Sequence, residues 1–200
     1  MIDISNISKK SPYKKFKQTY SEALAANQPN IEAICISSFD KEKQESDSRF
    51  VNLKYIINDD WIFFSNYLSP KANQFQNCEK ISAVFFWSEI NTQIRLKAKI
   101  YKTPSKFSDN YFKKRDAEKN ILAIISNQSQ KIDSYQDFID KYNENSEKDC
   151  LDAKTRPNYW GGYSFKPYYF EFWHGHDKRI NKREAFMYEK NKWNNFCLEP

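Results

Sequence analysis

Apolar side chains recur along the chain in two periods, and the switches between them outline its elements. Tyr13, Phe16, Tyr20 and Leu24 return every three or four residues, the spacing that gathers side chains on one helical face. Ser11 as a cap and Pro12 at the first helical position predict where this helix starts. From residue 31 the period shortens. Residues 31–39 predict a buried strand, and residues 40–47 a charged connection. Residues 49–56 predict the next strand, with Val51, Leu53 and Tyr55 on one face and Asn52 and Lys54 on the other. Asn58, Asp59 and Asp60 form a turn signal, and residues 61–65 return from it as the second arm of a hairpin.

Residues 69–78 predict a short helix, and residues 81–87 and 92–101 a further strand pair. In the second of these Ile94, Leu96, Ala98 and Ile100 share one face, and Gln93, Arg95, Lys97 and Lys99 the other. Residues 104–148 are charged and helical, with Tyr135, Phe138, Ile139 and Tyr142 as the stripe of a helix over 134–145. Residues 144–155 predict a loop. Strands return over 168–173, 183–189 and 193–198. Hairpins dominate, without regular alternation of strand and crossover helix. This order predicts a mainly β protein with peripheral helices, a barrel rather than a doubly wound sheet. Residues 1–10 predict a flexible arm ahead of a single domain over 11–200.

Composition narrows the classes. Sixteen Phe, thirteen Tyr and five Trp supply a large core. Three Gly and the absence of GxGxxG and Walker patterns weigh against a glycine-built phosphate loop. There is no GxSxG elbow. The net charge of +6 is mild and dispersed, which fits a solvated surface or a phosphorylated small molecule and gives no dense patch for nucleic acid. Cys35, Cys78, Cys150 and Cys197 are far apart and predict neither a zinc site nor a disulfide framework. A polar N-terminus and no long apolar run predict no signal peptide and no membrane span, hence a cytoplasmic protein. His174 and His176 flank Gly175 without further ligands at metal spacing, so no metal is expected.

What remains is a set of cations and amides on strands: Arg49, Lys54, Lys71, Gln93, Arg95, Gln128, Arg179 and Arg183. Arg and Lys suit phosphate, and amides suit the edge of a heteroaromatic ring. Each, taken singly, also fits a solvated strand residue.

The tail runs Arg156-Pro157-Asn158-Tyr159-Trp160-Gly161-Gly162, then Glu171-Phe172-Trp173-His174-Gly175, then Arg179-Ile180-Asn181-Lys182-Arg183, then Trp193 and Leu198-Glu199-Pro200. It resembles the C-terminal signature of the pyridoxine/pyridoxamine 5′-phosphate oxidases, RPxxWGG…EFWxGxxxRLHxR…W…LxP. The family's RxxxLK strand is matched by residues 49–54, its FxFYTNxxSRKA hairpin by 61–72, its RQVR strand by 92–95 and its QS pair by Gln128-Ser129.

This resemblance implies an FMN-binding split β-barrel acting as a homodimer, with FMN at the subunit interface. Arg49, Lys71 and Ser65 would hold the FMN phosphate. The strand Arg49, Phe50, Val51, Asn52, Leu53, Lys54 would run beside the flavin, with Phe64, Gln93, Gln128, Ser129, Trp173 and Arg183 completing the cofactor site. Lys54, Tyr111, Arg115, Lys119, Arg179 and Asn181 would meet a small phosphorylated pyridine, with Arg179 the catalytic residue over its ring. The implied chemistry moves a hydride from the C4′ carbon of pyridoxamine or pyridoxine 5′-phosphate to the flavin, giving pyridoxal 5′-phosphate. Molecular oxygen reoxidises the flavin and leaves hydrogen peroxide.

Three positions depart from the family pattern. Asn181 stands where the signature has His, Pro70 where it has Arg, and Lys119 where a Ser is expected. Two of the three are substrate positions. They keep open a relative acting on another small ring compound, or a flavin-binding protein without turnover.

Overall fold

The structure, a computed structural model, describes residues 1–146 and 152–200. Its elements in order are α1 (Ser11–Ala25), β1 (Ala33–Asp40), β2 (Glu45–Asn52), β3 (Tyr55–Ile57), β4 (Asp60–Asn66), α2 (Pro70–Asn77), β5 (Lys80–Trp87), β6 (Thr92–Lys102), α3 (Ser105–Lys114), α4 (Ala117–Ile125), α5 (Tyr135–Ser146), β7 (Trp160–His174), β8 (Lys182–Glu189) and β9 (Lys192–Leu198). The strands form one antiparallel sheet in the order β2-β1-β5-β6-β7-β4-β3, with β8 and β9 continuing from β7. The mainly β, split-barrel architecture expected from the sequence is the one observed.

The connection between β2 and β3 sets the shape. These strands are the two ends of the main path, yet only Leu53 and Lys54 separate them. The sheet therefore curls until its edges approach, without closing by strand pairing. Leu53 N–H donates to Glu32 O at 2.9 Å on the β1 side, and Lys54 N–H to Ile62 O at 2.8 Å on the β4 side. The single strand expected over 49–56 is thus two strands. Alternation continues across the break, with Leu53 fully buried, so periodicity carried no sign of the change of partner.

The 40–47 connection is also shorter than expected. Pairing runs from Ala33 opposite Asn52 to Asp40 opposite Glu45, leaving a tight turn in which Asp40 Oδ1 accepts from Glu42 and Lys43 N–H. Ser46, Asp47 and Ser48 belong to an exposed edge strand, where polar side chains cost little.

β7 is longer than its apolar run suggested. Its first half pairs with β4, its second half with β8, and β6 flanks both. Pro167 falls where the β6–β7 register shifts, the one kind of site inside a sheet that tolerates a missing N–H. Gly161 and Gly162 are needed for close approach. Gly162 O accepts from Tyr67 Oη and Thr103 Oγ1, and its N–H donates to Ser108 Oγ in α3. A Cβ on Gly162 would lie 2.5 Å from Thr103 Oγ1, and Thr103 is buried and β-branched. Gly162→Ala should therefore destabilise the fold by about 1–3 kcal/mol through overpacking, read as a drop of several degrees in Tm.

One apolar cluster extends from Ile2 to Phe186. In α1 Tyr13, Phe16, Tyr20 and Ala23 face it, while Leu24 stays 39% exposed because the 3.6-residue period has turned past the core. Ser11 is the first helical residue and Lys10 the cap, correcting the expected start. Residues 2–8 correct the expectation of a loose arm. Ile2 is buried, Asp3 N–H donates to Lys54 O, and Asp3 and Ile7 bridge to Tyr55 and Asn58. In α5 the expected stripe is shallow, with Phe138, Ile139 and Tyr142 half-buried and Tyr135 exposed. Cys35, Cys78 and Cys197 are free thiols. Cys150 and residues 147–151 of the expected 144–155 loop lie outside the described residues, and residues 144–146 of that loop belong to α5. No described helix is long and apolar enough to cross a membrane.

Candidate active site

A cavity of about 700 Å³ opens where the chain passes from one sheet edge to the other. β2 and the crossing contribute Arg49, Phe50, Val51, Asn52 and Lys54. β4 adds Phe64 and Ser65, and the first turn of α2 adds Pro70 and Lys71. Tyr111 from α3, Arg115 just after it, and Gln128 and Ser129 between α4 and α5 complete the polar wall. The curl of the sheet thus gathers residues far apart in sequence, from Asp47 to Trp160.

One end is built for an anion. Lys71 is 7% exposed, and among the described residues its ammonium donates to Ser65 Oγ at 3.3 Å and Ser69 Oγ at 3.2 Å. No carboxylate pairs with it among the described residues. Burial, and then the positive charge of Arg49, push its pKa down to about 8. Arg49 is held from behind: Nη1 donates to Ser38 Oγ at 2.5 Å and Nη2 to Gln74 Oε1 at 3.1 Å. Burial lowers its pKa too. Ser65 Oγ and Asn66 N–H both donate to Gln128 Oε1 at 3.3 Å, which ties the loop carrying Ser129, at φ 68°, to β4.

The other end is aromatic and cationic. Tyr111 stacks on Phe64 with centroids 3.7 Å apart and planes 6° from parallel. Trp160 continues the stack at 5.3 Å from Phe64, and the Arg115 guanidinium lies 5.1 Å over the Trp160 ring. Burial raises the Tyr111 pKa, so its hydroxyl stays protonated and can donate. Burial also lowers that of Arg115.

The remaining expected residues lie elsewhere in this protomer. Leu53 sits in the core and can reach the cavity only through its backbone. Lys119 is exposed outside it. Gln93, Trp173 and Arg183 form a row across β6, β7 and β8, each opposite the next, pointing away from the core face of Ile94 and Phe172. The donors of Arg183 are engaged: Nε and Nη2 face Glu171 Oε1 at 2.9 and 2.8 Å, and Nη1 donates to Glu199 O at 2.8 Å. Glu171 is 2% exposed and also pairs with Arg95 at 3.1 Å. Arg179 is exposed in the β7–β8 turn at φ 60°. Asn181 Oδ1 accepts from His176 N–H at 3.1 Å and closes that turn. His174 Nδ1 meets Thr92 Oγ1 at 2.9 Å, and His176 Nδ1 accepts from Lys178 N–H.

Comparison with known proteins separates family from fold. The chain is 34% identical over 191 residues to the pyridoxine/pyridoxamine 5′-phosphate oxidase of Haemophilus influenzae (strain 86-028NP), covering 96% of this chain and 90% of the relative. The chain belongs to the pyridoxine/pyridoxamine 5′-phosphate oxidase family. The same-named protein of Legionella pneumophila (strain Lens) is 33% identical over 94% of the chain and 87% of its own length. Residues 160–200 of this family member match the model described as the pyridoxine 5′-phosphate oxidase C-terminal dimerisation region. Two solved structures share the fold of the family. PhzG from Burkholderia lata 383, in complex with tetrahydrophenazine-1-carboxylic acid, superposes with a TM-score of 0.87 at 20% identity, covering 95% of this chain and 93% of its own. A pyridoxamine 5′-phosphate oxidase-related, FMN-binding protein from Nostoc punctiforme PCC 73102 gives 0.75 at 9% identity, covering 92% and 97%.

The family signature singled out most of the cavity wall. It did not single out Asp47, Ser38, Gln74 or Trp160 as site residues. Trp160 heads the WGG motif, and Asp47 shares the Arg49 face by strand alternation, so both signals were present.

Proposed function

We propose that this chain is an FMN-dependent oxidase that converts pyridoxamine or pyridoxine 5′-phosphate to pyridoxal 5′-phosphate, with oxygen as acceptor and hydrogen peroxide as product. For the amine the balance is substrate, water and oxygen giving aldehyde, ammonia and peroxide. The observation that carries the reading is the cavity with a buried, carboxylate-free ammonium at one end and a stacked aromatic-cation wall at the other. Lys71, Arg49 and Ser65 fit a phosphate by charge and donor count. The volume lies in the range of cofactor sites. When bound, FMN supplies a two-electron acceptor that oxygen can restore.

The protein residues do the rest by position and charge. Lys54 and Arg115 offer cations, and Tyr111 a hydroxyl, to the substrate phosphate. The Phe64, Tyr111 and Trp160 stack excludes water from one wall. Gln93, Trp173, Arg183, Arg179 and Asn181 point away from this cavity within one protomer, and we infer that a second copy brings them to it in a homodimer. The match of residues 160–200 to a dimerisation region supports this.

The test is direct. Purified protein should show a bound-flavin absorption spectrum, and incubation with pyridoxamine 5′-phosphate in air should release pyridoxal 5′-phosphate and peroxide. Flavin-loaded protein that forms neither would move the assignment to another small ring compound. Protein that takes up no flavin would end the proposal.

A further inference from the structure

We propose that Asp47 sets the affinity of the phosphate end of this cavity by opposing the anion that Arg49 and Lys71 attract. Asp47 stands two residues before Arg49 on β2, so both side chains leave the same face, and both line the cavity. Its Oδ2 lies 3.5 Å from Arg49 Nη2. The same oxygen accepts from Gln74 Nε2 at 2.7 Å. Gln74 is 3% exposed, and its Oε1 accepts in turn from Arg49 Nη2 and Ser38 Oγ. The Gln74 hydrogen bond therefore holds the carboxylate beside the guanidinium, on the solvent side of the pocket.

The charge arithmetic of the pocket follows. Arg49 and Lys71 bring two positive charges, and Asp47 removes one. Pro70, which also lines the cavity, brings none where the family signature carries an arginine. A phosphate dianion arriving at Arg49 competes with Asp47 for the same guanidinium and is repelled by it. Lys71 has no such competitor, and it remains the cation on which binding depends. Asp47 thus partners Arg49 and weakens retention of the phosphate-bearing cofactor.

This inference rests on the flavin reading above, and the experiment separates the two. FMN and riboflavin are titrated into the flavin-stripped full chain and followed by flavin fluorescence, for the wild type, Asp47→Asn and Asp47→Ser. The asparagine side chain keeps an oxygen for Gln74, and the serine removes that contact as well. Asp47→Asn should bind FMN about two- to fivefold more tightly, the size expected for one largely exposed charge interaction. The gain should shrink as salt is raised, by screening. Riboflavin, which lacks the phosphate, should bind both proteins equally. Asp47→Ser should move in the same direction as Asp47→Asn. FMN affinity that is unchanged or weaker in both variants would overturn the proposal and make Asp47 a support for Gln74 and Arg49. An equal gain for riboflavin would overturn it also, since the effect would not be on the phosphate. If none of the proteins binds either flavin, the flavin reading itself falls.

Discussion

Lys71→Met should weaken FMN binding by about 10- to 100-fold, the loss of one charge-assisted phosphate contact worth roughly 1.5–3 kcal/mol. The same substitution should leave the flavin-free protein as stable or more stable. Lys71 is buried with hydroxyls for partners and no carboxylate, and a buried uncompensated charge costs the fold. The pKa carries the sign. The folded value is near 8 and the ordinary value 10.5, so the unfolded chain holds the proton more tightly. The penalty is complete below about pH 8 and disappears above about 10.5, and the stability gap between wild type and variant should close across that window. FMN affinity should run the other way. Between about pH 6, where the phosphate loses its second proton, and about pH 8 it should be level. Above that it should fall by up to about tenfold per unit as the empty site loses its ammonium. Thermal melts with and without FMN across pH measure both trends. A variant that lost stability and kept its flavin would remove Lys71 from the site.

How much of this was visible in the sequence depends on the kind of information each residue carries. The strict alternation of residues 93–100 predicted both faces of β6, because each outward side chain there is charged or amide and each inward one apolar. The break at Leu53–Lys54 was hidden, because a strand that changes partners without changing its pleat keeps its pattern. The length of β7 was hidden for the opposite reason. Gly161, Gly162 and Pro167 are breakers in isolation, and only tertiary contacts with Tyr67, Thr103, Ser108 and the β6 bulge make them fit. The docking of residues 2–8 depends on the β3 edge, which local propensity cannot see.

The candidate site divides along the same line. Arg49, Lys54, Ser65 and Lys71 could be picked out through family motifs, and the curl of the sheet brings them together. Asp47 sits just outside the motif in a stretch that looked like a charged loop. Its meaning comes from the 3.5 Å approach to Arg49, a distance no spacing rule contains. Arg183 shows the converse. The motif marks it as a cofactor residue, while its donors are committed to Glu171 and the Glu199 carbonyl. Its positive charge and position, rather than a free fork, are what it can offer a ligand.

Arg179→Asn should lower turnover about 100- to 1000-fold while FMN binding and fold stability hold. Arg179 lies in the left-handed region at φ 60°, with its N–H donating to His176 O at 2.8 Å. Its guanidinium has no partner among the described residues. An exposed arginine in that conformation carries a backbone cost of about 1–2 kcal/mol, and its guanidinium receives no hydrogen bond or ion pair in return among the described residues. Asparagine tolerates the left-handed region better than most residues, so the turn should survive the exchange and the Tm should stay level or rise slightly. What the exchange removes is a planar cation on a turn that Asn181 closes through the His176 N–H. If that cation stabilises charge developing on the substrate ring, its loss belongs in the range of about 2.7–4 kcal/mol seen for single electrostatic contacts to a reacting centre. The split between constants decides the role: a fall in kcat with flavin retained places Arg179 against the substrate. A fall in flavin affinity with kcat preserved in the loaded enzyme would place it in the cofactor site instead.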